Sequence, residues 1–600
     1  MRPVRHAAPL LGAALLVPAV LSAQRPAVNR YGNPERVRPA PTTPGITVRD
    51  LQIRLYQFAD DSMQGRQVGR VGNEKGTDFI AAELKRLGVQ PAGVNGTYFQ
   101  NLPFHRRRFT DHSRVTVNGN PLTWNMDVVA VPGARAPRPV VDAEVVFGGV
   151  QGDTSRQISA AQAAGRVVVL LPSPDGPRGG QGQAFALAPG AGPAASRFAD
   201  AAAVVTVDLD RLTPAQRAAI NMPTVASQPA PVRYPAPDTS IKDPMQALLK
   251  QIAQVQAQLY PQASLRMTQD GAARLFGVAS LDALRPGSTG GRLTTALDFV
   301  EEPTNWGRNV IGVIPGSDPV LRNQYLAIGA HNDHVGFAPV VDKDSVRAFN
   351  VERNKLLLAN KMKPLGPDLM TSIRVNMDSI RRIHPTPRLD SIRNGADDDG
   401  SGSMAVLEIA EAIMAMPVKP KRSVLLVWHT GEEAGLLGAA HFTQNPMVPI
   451  DSIVAQLNID MIGRGRAEDL PGGGDDYLSV IGSYFDSKDL GDQVKAVNAR
   501  QERPLALDYS LDEPTSWAGY NNIYARSDHF RYAQQGIPIA FFFTGLHGDY
   551  HQYSDEAEFI DYPHYARIAN YIKEIAVEVA NGPRPRLNGT RPVKPKQITP

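Results

Sequence analysis

The chain has 600 residues, 42% of them hydrophobic and 20% charged, with 50 prolines, 52 glycines and no cysteine. That length exceeds what one hydrophobic core fills, so two or more domains are expected. A formal charge of +4 is close to balance and points to no nucleic-acid partner. The lack of cysteine excludes disulfides, a thiol nucleophile and thiolate metal ligands.

At the start, Arg2 and Arg5 precede an apolar run from Leu10 to Leu21, broken by Pro18, and Leu21-Ser22-Ala23 offers small residues for cleavage. This pattern predicts a signal peptide over residues 1–23, hence export to the periplasm or beyond. The run is too short to cross a membrane, and no stable membrane insertion is expected. Removing Arg2 and Arg5 lowers the formal charge from +4 to +2. Residues 24–45, rich in Pro, Arg, Asn and Thr, predict a disordered linker. Leu51, Leu55 and Phe58, then Phe79, Ile80, Leu84 and Leu87, recur at helical spacing across 47–90, with a turn-like break at Ser62–Arg66.

Near residue 140 the texture changes. Strands are predicted at 143–147, 166–171 and 202–207, separated by Gly/Pro-rich loops, which suggests an inserted β-rich module over 140–299 with an Ala/Gln-rich helical stretch at 212–262. From Asn309 onward the pattern is α/β. Strand candidates lie at 309–314, 325–330, 423–428, 453–459, 477–481 and 537–543, with a helix at 403–416. Apolar strands alternating with helices predict a mostly parallel central sheet flanked by helices. Residues 581–600 read as a basic, Pro-rich disordered tail.

Ligands of open α/β sheets bind beyond the carboxyl ends of the strands, and the polar clusters of this chain sit there. Strand 325–330 runs into His331-Asn332-Asp333-His334, strand 423–428 into His429-Thr430-Gly431-Glu432-Glu433, and strand 453–459 into Asp460. Strand 537–543 leads to Tyr550-His551, and Asp397-Asp398-Asp399 precedes the helix at 403. A lone His-x-Asp or Glu-Glu is ordinary surface chemistry. A charge directly after an apolar strand needs a partner, and five such clusters in one half of the chain suit zinc, which takes nitrogen and oxygen ligands. Gly395 and Gly400 permit the tight turn that a carboxylate bridging two ions would require.

These segments, with Gly431-Glu432-Glu433-Gly435-Leu436-Leu437-Gly438 and Asn458-Ile459-Asp460-Met461, resemble the co-catalytic di-zinc aminopeptidase family. That family includes secreted bacterial leucine-type aminopeptidases, glutamate carboxypeptidase and glutaminyl cyclase relatives. The resemblance implies a discontinuous catalytic domain over 46–139 and 300–580 and a protease-associated domain over 140–299. It implies two zinc ions, one on His331 and Asp460, the other on Glu433 and His551, bridged by Asp398. Glu432 would be the general base that takes a proton from the attacking water and passes it to the leaving amine. Asp333 would orient His331 through its far nitrogen, and Tyr550 would stabilise the developing oxyanion. His334, His429 and His547 are assigned supporting or structural places, and Ser527-Asp528-His529 a supporting one.

The implied activity is removal of N-terminal residues from peptide substrates. Carboxypeptidase or glutaminyl cyclase-like chemistry on the same ligands is the alternative, and a non-catalytic binding protein a further one. One feature departs from the family pattern. His331 and Asp398 stand 67 residues apart, and the intervening 340–394 holds 11 Lys/Arg against 6 Asp/Glu. That insertion reads either as a solvated peripheral element or as a lid that restricts access to short or acidic peptides.

Overall fold

The computed structural model describes residue 29 and residues 31–589, apart from 134, 152–153, 173–196, 213–219, 221–223, 305–306, 361–364, 513–522 and most of 228–258. The signal-peptide reading of 1–23 and most of the helical stretch at 212–262 lie outside the described residues.

A nine-stranded sheet organises the larger unit. Its strands in chain order are β1 (Gln90–Pro91), β2 (Phe99–Asn101), β3 (Arg308–Ile314), β4 (Tyr325–His331), β5 (Ser423–His429), β6 (Ile453–Ile459), β7 (Tyr477–Ile481), β8 (Ala506–Asp508) and β9 (Ile539–Phe543). Across the sheet the order is β1-β3-β5-β4-β6-β9-β7-β8, with β2 also on β3. The four central strands β5, β4, β6 and β9 run parallel. The flanks do not: β3 pairs antiparallel with β5, and β7 with β9. The expectation of a mostly parallel sheet is therefore corrected to a mixed sheet with a parallel centre. The reason at one flank is the short connection from Ile314 to Tyr325, which holds no crossover helix and so returns the chain in the opposite sense.

Both faces of the centre are covered. In β5 the side chains of Val424, Leu426 and Trp428 join one apolar cluster, while Leu425 and Val427 join another on the opposite face. This is the period-2 alternation of a strand buried on both sides. The first face carries helices α1 (Val48–Phe58), α2 (Val71–Leu87), α4 (Gly402–Ala415) and α5 (Tyr562–Asn581). Helix α3 (Lys343–Ala359) belongs to the insertion.

The smaller unit is an eight-stranded sheet whose four middle strands, 143–150, 167–171, 203–207 and 263–267, run parallel. It also takes in strands at 114–117, 120–122 and 128–130, upstream of the boundary expected at residue 140. A three-stranded sheet of Phe104–Phe109, Thr224–Ser227 and Phe299–Thr304 forms where the chain enters and leaves this unit.

Two stretches expected to be disordered are tied down in part. Residues 31–45 lack regular structure apart from isolated turns, but the Asn33 amide donates to the carbonyls of Glu558 and Ile560 (3.0 and 2.7 Å), and the Thr42 hydroxyl donates to Glu411 (2.6 Å). At the other end, the Asn588 amide donates to the carbonyls of Tyr484 and Phe485 (2.7 and 3.1 Å). Composition predicts disorder from too little apolar burial; here side-chain amides supply the anchoring instead.

Candidate metal centre

The site lies beyond the carboxyl ends of the parallel strands. His331 is the last residue of β4, Asp460 follows β6, Glu432 and Glu433 lie in the loop after β5, and Tyr550 and His551 lie in the loop after β9. Asp398 arrives from the turn before α4. Gly395 there has φ +58°, and a Cβ on it would sit 2.3 Å from the Asp398 carbonyl oxygen and 2.4 Å from His334 Cγ. Only glycine lets that turn press against the site.

The side chains converge in two groups that share Asp398. His331, Asp398 and Asp460 form one; His334, Asp398, Glu433 and His551 form the other. His331 Nε2 lies 3.2 Å from Asp398 Oδ1 and 3.7 Å from Asp460 Oδ1. His551 Nε2 lies 3.0 Å from Asp398 Oδ2 and 2.9 Å from Glu433 Oε2. His334, given a supporting place from sequence, stands inside the second group, its Nδ1 2.9 Å from Glu433 Oε1 and 3.6 Å from Asp398 Oδ2.

Five of these atoms, His331 Nε2, His334 Nδ1, Asp398 Oδ2, Glu433 Oε1 and His551 Nε2, are buried and aligned in no hydrogen bond. Buried polar atoms are almost always paired, so five gathered in one place call for a common partner. Imidazole lone pairs facing carboxylates are reconciled by a cation, and the nitrogen-and-oxygen donor set fits a divalent metal such as zinc. The ionisation of the groups shows how strongly they interact. Burial favours neutral His551, yet the charge of Glu433 and the contact with Asp398 raise its pKa to about 10. Burial opposes the Glu433 carboxylate, yet His551 and His334 hold its pKa at about 2.

The surrounding contacts set orientation. His331 Nδ1 meets the backbone carbonyl of Asp333 at 3.0 Å, while the Asp333 carboxylate stands 3.7 Å away and accepts from the Glu432 backbone N–H at 3.1 Å. The sequence reading gave the orienting role to the Asp333 carboxylate. In the structure the Asp333 carbonyl lies nearest to His331 Nδ1, and the carboxylate, also close to that nitrogen, ties in the Glu432 loop. Burial, with Glu433, Asp460 and Asp528 adding to it and His331 opposing, holds the Glu432 pKa well above the ordinary range. The Tyr550 ring stacks on His551 at 3.9 Å between centroids, and its hydroxyl lies 3.4 Å from Arg526 Nη2. Burial and then the charges of Asp398 and Glu433 raise the Tyr550 pKa well above its usual value, so the phenol stays a donor.

Further residues support the site, Asp555 and Arg66 among them without any sequence signal. Asp399 accepts from the backbone N–H of His331 (3.0 Å), Gly402 (2.8 Å) and Met461 (3.3 Å), tying the ends of β4 and β6 to the start of α4. Asp555 accepts from the N–H groups of Asp397 and Asp398 (2.9 and 3.1 Å). Buried Arg66 donates to the carbonyls of Asn394 and Gly395 (2.7 and 2.8 Å). The Ser527 hydroxyl donates to Asp460 Oδ2 (2.7 Å), giving the Ser527-Asp528-His529 segment a direct link to the site. His429 and His547 turn elsewhere, toward Tyr532 and Asp528 and toward Asp397 respectively.

The insertion also reaches the site. Its ends, Gly336–Asp342 and Leu389–Arg393, pair as an antiparallel ribbon. Helix α3 lies against the loop that carries His551: Arg353 Nη2 donates to the Gly548 carbonyl (2.6 Å), Asn350 to Ser554 Oγ (3.0 Å), and Arg347 pairs with Asp549, which Arg464 also contacts (3.1 Å). His551 itself has φ +58°, a conformation non-glycine residues hold only when packing enforces it.

Fold and site together define an α/β domain in which two groups of candidate metal ligands share the Asp398 carboxylate. Residues 309–576 match the model of Peptidase family M28. The chain is 33% identical over 167 residues to an aminopeptidase of Pseudomonas aeruginosa, covering 27% of this chain and 28% of that protein. It is 28% identical over 223 residues to a probable zinc metalloprotease of Phaeosphaeria nodorum, covering 32% and 43%. The matches thus span under half the length of these relatives. Among solved structures, an aminopeptidase from Aneurinibacillus sp. strain AM-1 aligns over 92% of this chain and 97% of its own, at 16% identity and a TM-score of 0.45.

Proposed function

We propose that the protein is an exported di-zinc aminopeptidase. The observation that carries the reading is the pair of ligand groups meeting at Asp398. The aminopeptidase and zinc metalloprotease relatives support the choice of reaction and metal. His331 and Asp460 hold one ion, Glu433 and His551 the other, and Asp398 bridges. The ions, when bound, polarise the scissile carbonyl and acidify the attacking water. Glu432 takes the proton of that water and returns it to the departing amine, a task its raised pKa suits. Tyr550, kept protonated, donates to the oxyanion. Asp333 steadies the Glu432 loop.

In this reading residues 1–23 direct export, and no helix among the described residues is long and apolar enough to cross a membrane. The catalytic domain is the unit built on the nine-stranded sheet, without the strands between 114 and 130 that the expected 46–139 segment had included. The eight-stranded unit is the protease-associated domain, with no catalytic residue assigned to it. Peptides with a free N-terminus are the substrates.

The test is hydrolysis of aminoacyl chromogenic substrates and of N-blocked peptides, with and without chelator. Chelator-sensitive release of N-terminal residues is expected. Release from the C-terminus of blocked peptides would replace the reading with a carboxypeptidase. Glu432→Gln is expected to lower kcat by about 100- to 10,000-fold while zinc binding is kept; undiminished turnover would remove Glu432 from the mechanism.

A further inference from the structure

We infer that His334 is a third protein ligand of the ion held by Glu433 and His551, so the two metal positions are unequal. The inference rests on the di-zinc reading above and extends it to a residue outside the five-ligand set.

A tetrahedral zinc site with bonds of about 2.0–2.1 Å spaces its ligand atoms about 3.3 Å apart. The distances around the second group scatter about that value: 2.9 Å from His334 Nδ1 to Glu433 Oε1, 3.6 Å from His334 Nδ1 to Asp398 Oδ2, and 3.0 Å from His551 Nε2 to Asp398 Oδ2. The alternative is that His334 merely orients Glu433 by a hydrogen bond. Against this, His334 Nδ1 and Glu433 Oε1 are close yet both aligned in no hydrogen bond, as are His551 Nε2 and Asp398 Oδ2 beside them. Donor atoms this close, buried and without a hydrogen bond between them, are reconciled by a cation among them.

The ring is held in place. The backbone N–H of His334 donates to the Arg66 carbonyl (3.3 Å), and the ring Cγ stands only 2.4 Å from where a Cβ on Gly395 would be. The Arg66 guanidinium in turn holds the carbonyls of Asn394 and Gly395. The residues on either side of the ring therefore belong to the same clamp that positions Asp398.

A division of labour follows. His334, Asp398, Glu433 and His551 supply four donors and fill a tetrahedron, the pattern of a closed zinc site. His331, Asp398 and Asp460 supply three and leave a position open, the pattern of a reacting one. The second ion is the tightly held partner that fixes Asp398 and Glu433; the first is the exchangeable one.

X-ray absorption of the zinc-loaded full-length chain tests this without any substitution. Three imidazoles per two zinc ions are expected; two per two overturn the inference. Zinc titration of the metal-stripped chain against a chromophoric chelator is the second arm. His334→Ala is expected to weaken the tighter of two binding steps by more than about 100-fold, beyond what loss of an orienting contact costs, and to leave the weaker step close to its original strength. An unaltered tighter step overturns the inference. A chain that binds a single zinc refutes the two-ion reading, and the count on that ion still decides here: two imidazoles sustain the role of His334, and one ends it.

Discussion

Arg353→Met asks whether the insertion braces the metal centre or covers it. The Arg353 guanidinium donates to the buried Gly548 carbonyl, three residues before His551, and methionine keeps much of the apolar stem while removing the donor. A hydrogen bond from a charged group contributes about 1.5–3 kcal/mol, and the carbonyl is left bare in a buried setting. His551 sits at a strained φ of +58°, so slack in this loop passes directly to its ring. If the whole cost falls on the ordering of the loop, zinc at the His551 position binds about 10- to 100-fold more weakly, at 1.4 kcal/mol per decade. The assay is chelator competition on the metal-stripped variant, with its metal-free melting temperature recorded alongside. A brace weakens zinc binding and lowers turnover of short and long peptides in the same proportion. A lid changes the ratio of short to long peptides and leaves zinc affinity alone. Unchanged zinc affinity together with a changed length preference would refute the brace.

Two further perturbations probe the support around the site. Ser527→Ala removes the hydroxyl bonded to Asp460 Oδ2 and is expected to weaken zinc binding or activity by about 10- to 100-fold, read by the same competition titration; an effect under twofold would show that Asp460 is held by other contacts. His529 is buried, stacked on Phe541 at 4.5 Å and bonded to the Tyr524 carbonyl at 2.8 Å. Burial, only partly offset by that bond and by Asp528, pushes its pKa down to about 4. The unfolded chain takes up this proton near pH 6.5 and the folded one only near 4. Its contribution is therefore fully present above 6.5 and falls away as pH drops toward 4, by up to ~3 kcal/mol. Urea unfolding of wild type and His529→Phe at pH 7 and pH 5 measures it: the variant should lose less stability over that interval, and parallel losses would refute the assignment.

How much of this was legible in the sequence depended on how each residue is held. Asp460 stood out because an apolar strand running straight into a charge is anomalous without a partner, while His331, Asp398, Glu433 and His551 were picked out by the motifs of the resembled family; the strands at 453–459 and 477–481 fall where their patterning places them. Asp555 and Arg66 could not be read, because they work through backbone N–H and carbonyl groups far away in sequence, and a loop aspartate or arginine has no periodic signature. The mixed sheet escaped for a related reason: apolar runs reveal burial on both faces but not strand direction, which the short Ile314–Tyr325 connection decides.

The insertion shows the same limit in charge. Its surplus of basic residues suggested a rim that attracts acidic peptides. In the fold, Arg347 is committed to Asp549, Arg381 to Asp342, Arg388 to Asp344 and Arg353 to the Gly548 carbonyl. A charge matched by a buried partner projects little field toward an approaching substrate, and what remains near the surface is screened within about 8–10 Å at physiological salt. These four arginines fasten the insertion to itself and to the loop bearing His551. The 67-residue separation of His331 from Asp398 then has a structural reading: the chain leaves the candidate site, builds a helix that packs on the loop bearing His551, and returns through the turn that delivers Asp398.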